Sequence, residues 1–191
     1  MKNFFRKVAF GIGPKEEVPS DPLNWALNQV DKIPDFSWKG KILTEKELRG
    51  HYRDWVYGDR EKLRKKYKNN KTLYKLNKDQ LRHDTGQKFW GPLEIAIRHN
   101  EAINSNNPVL AKLWMFWGNF FAISEKDFLA DYSTGAYQRE IIWPNLNQSF
   151  EKMVYEVTTS WAMVHHLDNS ESAGPKSATA GEDWRRKKKE P

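Results

Sequence analysis

Apolar residues recur at helical spacing through most of the chain, most densely between residues 110 and 164. Steps of three or four residues place such side chains on one face of a helix, as with Leu23, Leu27 and Val30. No alternation of apolar and polar residues is long enough to predict a strand. The pattern predicts an all-α fold, an irregular multi-helix bundle with an aromatic core. The expected core contains Trp114, Trp117, Phe121, Phe150, Val154, Val157 and Trp161.

Capping residues and prolines divide this pattern into separate helices. Asp21 precedes Pro22 and Asn107 precedes Pro108, and each pair combines an N-cap side chain with a proline suited to the first turn. Thr44 begins a T-x-x-E capping box, Gly11 suits the end of the first helix, and Ser149 suits the start of the last one. The predicted helices span residues 2–10, 21–33, 44–57, 60–82, 92–103, 109–123, 136–143 and 150–165.

Residues 59–82 hold the positive charge of the chain. They include ten Lys or Arg and three carboxylates, so this segment alone carries the +7 of the whole protein. We predict one long helix here, with a narrow apolar seam and an otherwise cationic surface. The favoured interpretation is a solvated face, and the alternative is nonspecific binding of a polyanion, either nucleic acid or an anionic membrane. The anion-binding candidates are Lys62, Arg64, Lys65, Lys66, Lys68 and Lys71.

Length and composition limit the number of domains, the chemistry and the location that can be expected for this protein. With 191 residues, 38% of them hydrophobic, the chain is expected to form one helical domain over residues 1–169 and a loop or disordered basic tail over 170–191. The absence of cysteine excludes disulfides, thiolate zinc sites and a cysteine nucleophile. No cofactor is predicted. No apolar run is long enough for a signal peptide or a transmembrane segment, so a cytoplasmic location is the default and the compartment stays unknown.

Two small groups of polar residues are candidate sites. Arg139, Glu140, Asp168 and Asn169 are catalytic candidates, because a buried carboxylate can act as a general acid or base. We favour a structural role, with Arg139 in a buried ion pair, for example with Asp168. His165, His166 and Asp168 are the metal-ligand candidates, but successive helical residues point about 100° apart, which favours histidines that contact the helix end instead.

Several short motifs resemble the bacterial family catalogued as domain of unknown function 1800 (DUF1800). That family shows an aromatic helix reading Phe-Trp-His-Asn-His-Phe, a Tyr-x-Arg-Glu segment followed by Arg-Pro-His, a helix ending Leu-Asp-Asn, and a Ser-x-Gly-Pro-x-Ser loop. The N-terminal RKVAFGIGP also resembles the family's opening segment. The matching residues are Phe116, Trp117, Asn119, Phe121, Tyr137, Arg139, Glu140, Pro144, Leu167, Asp168, Asn169, Ser172, Gly174, Pro175 and Ser177.

The chain departs from the family pattern at specific positions. Gly118 and Phe120 stand where relatives show histidines in the aromatic helix, and Trp143 and Asn145 flank Pro144 where relatives show Arg-Pro-His. Family members also continue past the Gly-Pro loop into further helices. The resemblance therefore implies that these residues correspond to the N-terminal part of a larger bacterial protein.

Three functions follow from this reading. The first is a helical scaffold or interaction module whose partner is the C-terminal portion of the same protein or another protein. The second is part of a hydrolase-like enzyme whose site that portion completes, and the third is the polyanion binding described above. An unpartnered surface should expose apolar residues, and the expected patch includes some of Trp143, Phe128, Trp90 and Phe89.

Overall fold

Helices account for 71% of the residues described by the computed structural model, and none of these residues lies in a strand. The described residues are 2–13, 16–84, 87–123, 130–169, 172–174 and 177. The predicted all-α class is therefore confirmed. The expected tail over 170–191 falls largely outside the described residues. Within those residues, no helix has both the length and the apolar character needed to cross a bilayer.

Ten α-helices follow one another through the described part of the chain. A π-helical turn at Asp54–Asp59 joins the third to the fourth, and a second at Gln138–Ile142 continues the eighth into a 3-10 turn at Trp143–Asn145. The helices are α1 Lys2–Val8, α2 Pro22–Val30, α3 Glu45–Arg53, α4 Arg60–Lys66, α5 Lys71–Asp84, α6 Gln87–Asn104, α7 Pro108–Phe120, α8 Ala130–Tyr137, α9 Phe150–Thr159 and α10 Trp161–His166.

The helix starts predicted at Asp21, Thr44 and Ser149 are confirmed with their caps, whereas Asn107 precedes α7 as predicted but its side chain makes no capping hydrogen bond. The Asp21 side chain accepts a hydrogen bond from the backbone of Asn24, and the Ser149 hydroxyl accepts one from Lys152. Both hydrogen bonds of the capping box that begins at Thr44 are present. Gly11 has a φ of 110°, the left-handed conformation for which glycine is suited after a helix.

Two helices predicted as continuous are broken. The predicted helix over 60–82 is interrupted between α4 and α5, where the Asn70 side chain accepts from the Leu73 backbone at 2.9 Å. The predicted helix over 150–165 is interrupted at Ser160, whose hydroxyl accepts from the Met163 backbone at 3.3 Å. In both cases a short polar side chain within an apolar pattern starts a new helix, because it satisfies a backbone N–H that would otherwise lack a partner.

The main core lies between α7, the α8 segment with its two following turns, and α9 and α10. Trp114 is 1% exposed, and its indole nitrogen donates to the Gln138 carbonyl at 2.7 Å. The Phe36 ring stacks on Trp143 with ring centroids 4.6 Å apart, which ties the loop after α2 to this core. The buried members are Leu110, Trp114, Ile123, Tyr137, Ile142, Trp143, Met153, Val157, Ala162 and Met163.

The predicted core is correct at its centre and wrong at its edge. Trp114 and Val157 are buried, and Trp117 and Phe121 pack against the cluster with part of each ring exposed. Phe150 is 57% exposed, and Val154 and Trp161 are half-buried outside the cluster. The apolar stripe predicted for α2 is wrong at Leu23 and Leu27, which are exposed, and right at Val30, which packs against the core; the helix buries Ala26 and Gln29. Gln29 lies inside because its amide oxygen accepts from the Val109 backbone at 3.1 Å.

Truncating the central tryptophan should have a large effect. Trp114→Ala is expected to lower the free energy of unfolding by about 3 to 5 kcal/mol, because it leaves a cavity and removes one of the two hydrogen bonds to the Gln138 carbonyl. Trp114→Phe keeps most of the ring and should cost less. Chemical unfolding followed by circular dichroism measures both changes. Equal stability of Trp114→Ala and the wild type would contradict the placement of this residue in the core.

Tyr137 should make stability depend on alkaline pH. Its hydroxyl donates to the Phe121 carbonyl at 2.9 Å, and burial raises the pKa of the phenol. The folded protein thus holds this proton more tightly than the unfolded chain does. Its stabilising contribution is complete below about pH 10 and is lost as the pH rises further. Urea unfolding between about pH 9 and pH 11 should show a steeper loss for the wild type than for Tyr137→Phe. Parallel curves would refute the assignment.

Candidate functional site

Arg139 lies in a closed ion-pair cluster in the α8 segment. Its Nε and Nη2 atoms donate to the two carboxylate oxygens of Glu94 at 2.9 and 2.7 Å, and Nη2 also donates to the Leu43 carbonyl at 2.8 Å. Arg139 is 6% exposed. A bidentate ion pair of this kind fixes both the position and the orientation of the guanidinium relative to the carboxylate. The arrangement holds the α8 segment against α6 and against the residues that precede α3.

Glu140 extends the cluster in another direction. Its Oε1 accepts from the Glu45 backbone at 2.9 Å and lies 3.8 Å from Nη1 of Arg139. Glu45 is the first residue of α3, so the Glu140 carboxylate satisfies a backbone N–H that has no partner within the helix and lies at the positive end of the helix dipole. Burial raises the pKa of Glu45, Arg49 opposes this effect, and Glu140 adds to it. Both members of the Arg139-Glu140 pair therefore bind other helices.

Gly135 permits this cluster because α6 and α8 approach each other closely beside it. A Cβ built on Gly135 would overlap the side-chain carbons of Glu94. Any larger residue would push Glu94 away from Arg139. The glycine is therefore needed for close approach and not for an unusual backbone conformation.

The remaining catalytic and metal-ligand candidates lie at the end of α10. Asp168 and Asn169 are exposed, and Asp168 has a φ of 55° where the helix ends. The predicted pairing of Arg139 with Asp168 is wrong, since Arg139 pairs with Glu94. The His165 ring packs edge-on against Trp161 with centroids 5.2 Å apart. Across the described ranges, no three His, Asp or Glu side chains, including those of His165, His166 and Asp168, are grouped so that they could hold a metal ion.

The cationic candidates lie on a hairpin of two helices. Lys62, Arg64, Lys65 and Lys66 lie on α4, Lys68 lies in the turn, and Lys71 begins α5. The two helices contact each other, and neither contains a buried residue. α5 also contacts α6, and these six basic side chains of the hairpin face solvent.

A group of aromatic rings is exposed where α7 meets the start of α9. Phe116, Phe120 and Phe150 are 55%, 62% and 57% exposed. They surround Trp117 and Phe121, which are half-buried, and successive ring centroids lie 4.9 to 6.4 Å apart. We call these five residues the aromatic surface. Rings stacked in this way form one continuous apolar area.

The apolar patch expected from the sequence differs from this surface. Trp143 is buried, and its indole nitrogen donates to the Pro34 carbonyl at 3.0 Å, so its predicted exposure is wrong. Trp90 is half-buried against the cluster formed by Leu43, Leu48 and Ala136. Phe89 is exposed, and Phe128 lies outside the described residues.

Two carboxylates, one half-buried and one buried, were not identified from the sequence. Glu94 is the partner of Arg139, and Glu101, which is 1% exposed, accepts from the backbone and the hydroxyl of Ser37 at 2.9 and 2.7 Å. The available signal was spacing, because Glu94, Ile97 and Glu101 share one face of α6 at positions i, i+3 and i+7. Ile97 is completely buried, so carboxylates in register with it point inward as well.

A family model described as a protein of unknown function, DUF1800, matches residues 5–183. No curated protein and no solved structure matches the chain.

A methyl group at Gly135 should separate α6 from α8. Gly135→Ala is expected to lower the free energy of unfolding by about 1 to 3 kcal/mol, because it displaces Glu94 from Arg139. Gly50→Ala is the matched control, since Gly50 is also helical and has open space around its Cβ position. The control should be neutral or stabilising by up to about 1 kcal/mol. Thermal unfolding measures both variants, and a Gly135→Ala protein as stable as the control would contradict the close approach.

Proposed function

The chain belongs to the DUF1800 family, whose description assigns no function, and we propose that this member is a helical interaction module. The observation that carries the proposal is the aromatic surface. Buried aromatic side chains contribute large apolar areas, commonly about 150 to 250 Å² each. Three rings that are each more than half exposed leave on the order of 300 Å² of contiguous apolar area facing water. Patches of this size mark interaction sites on soluble proteins.

The arrangement of α7 supports the docking of another helix. Phe116 and Phe120 lie one turn apart and form a ridge, while Trp117 and Phe121 form the adjacent row. Ridges of this kind pack into grooves between the side chains of a second helix. We propose that the occupant is an apolar helix from the C-terminal portion that follows in the resembled family proteins. Such a helix belongs either to the same protein or to a separate polypeptide partner.

A hydrolase-like site is the alternative function. It would use Glu140, Asp168 and Asn169 together with groups from the C-terminal portion. The cluster around Arg139 favours the module instead, because Glu94 and the Leu43 carbonyl occupy its guanidinium and Glu140 is bound to the start of α3. Gly118 is buried beside the Gln138 side chain, and Phe120 is exposed. These two positions carry histidines in the resembled family, and neither has a titratable side chain here.

Removing the ridge should abolish association without unfolding the protein. Phe116→Ser/Phe120→Ser is expected to leave the melting temperature nearly unchanged, because both rings are largely exposed. The wild type should bind an apolar fluorescent dye and self-associate at high concentration, and the double variant should do both much less. Sedimentation velocity and dye fluorescence measure these changes. Leu23→Ser/Leu27→Ser, which removes two exposed apolar side chains of α2, is the matched control and should behave as the wild type.

The partner itself requires a direct binding measurement. The C-terminal portion of a full-length DUF1800 protein, produced as a separate polypeptide, should form a complex with the wild type and bind the double variant at least tenfold more weakly, about 1.4 kcal/mol. Equal binding of both proteins would show that the aromatic surface is not the docking site. Hydrolytic activity that appears in the complex and disappears with Glu140→Gln would favour the enzyme alternative.

A further inference from the structure

The turn between α4 and α5 creates a cleft that the continuous helix predicted from the sequence would not contain. The cleft has a volume of about 480 Å³, within the range of roughly 300 to 1,000 Å³ that is usual for small-ligand sites. Four basic side chains and two aromatic rings line it, contributed by both helices and by the turn. They are Arg64, Lys65, Tyr67, Lys68, Lys71 and Tyr74.

The charge in this cleft is not balanced within the hairpin. Glu61 also lines the cleft, and its carboxylate lies 3.3 Å from the Arg64 guanidinium. No carboxylate among the described residues lies within ion-pair distance of Lys65, Lys68 or Lys71. Like charges held close together repel each other. Because α4 and α5 contain no buried residue, the burial of apolar side chains on these helices does not offset this repulsion.

The tyrosines identify the kind of anion that fits. Tyr67 and Tyr74 are half-buried in the cleft, and the Lys66 amine lies 5.3 Å from the Tyr67 ring centroid. Proteins that bind single-stranded nucleic acid combine a basic groove for the phosphates with aromatic rings on which bases stack. A duplex offers no exposed base faces, and a flat membrane surface does not enter a concave cleft. We propose that this cleft binds single-stranded nucleic acid, with phosphates on the three lysines and a base on a tyrosine.

Two matched lysine double variants distinguish binding in the cleft from nonspecific attraction to the positive charge of the hairpin. Lys68→Gln/Lys71→Gln removes two charges from the cleft, and Lys75→Gln/Lys78→Gln removes two from the same hairpin outside its lining. Fluorescence anisotropy with a labelled oligothymidylate of about twelve nucleotides measures affinity over a salt series. The cleft variant should weaken binding at least tenfold and reduce the log-log salt slope by about 1.4, while the control should change affinity less than about threefold. Equal effects of the two variants would overturn the proposal.

The tyrosines and the competing anions provide the second readout. Tyr67→Leu/Tyr74→Leu should weaken oligothymidylate binding about tenfold and leave heparin binding unchanged, because heparin carries charge without bases. Circular dichroism confirms that each variant keeps its helices. Loss of heparin and oligonucleotide binding in equal measure would refute stacking. Tighter binding of phosphatidylserine vesicles than of the oligonucleotide would assign the hairpin to a membrane surface instead.

Discussion

The ion pair between Arg139 and Glu94 is the interaction on which the arrangement of the helices depends. It joins the α8 segment to α6, and the Leu43 carbonyl and the carboxylate of Glu140 extend it to α3. A buried charge that loses its partner is strongly destabilising, because neither water nor another group replaces the lost interaction. Gly135 lies next to Glu94, and a residue with a Cβ atom at this position would displace Glu94 from the ion pair. Arg139 and Glu140, the charged residues that most resemble a catalytic group, therefore connect helices of this fold.

The aromatic helix α7 divides its side chains between two tasks. Leu110, Trp114 and Gly118 face the core, with the Trp114 indole hydrogen-bonded to Gln138. Phe116 and Phe120 face outward and gain no comparable burial. Trp114 and Trp143 are buried in the core while these two rings stay largely exposed, which is why we place the interaction with a partner there. The basic hairpin is a second exposed feature, remote from the ion-pair cluster in sequence and built on separate helices.

The parts of the fold that depend on interactions between neighbours in sequence could be predicted from the sequence. The parts that depend on contacts between residues far apart in sequence could not. Asp21, Thr44 and Ser149 act as caps through neighbours within three residues, so their roles could be read directly. Periodicity shows that Phe150 lies on an apolar face but not whether another element covers that face. Glu94 lies 45 residues from Arg139, and no spacing rule joins them. The Asn70 cap is local, but helical spacing continued through it and concealed the break.

A double-mutant cycle on Glu94 and Arg139 tests the structural role of this pair most directly. The free energies of unfolding of the wild type, Glu94→Gln, Arg139→Met and the double variant give the coupling energy between the two side chains. We expect each single variant to cost about 3 to 5 kcal/mol and the coupling to be about 1 to 3 kcal/mol. Because the pair is buried, the coupling should persist from about 0.05 M to about 0.5 M salt. A coupling near zero, with single variants as stable as the wild type, would contradict the account and return Arg139 to the group of residues available for chemistry.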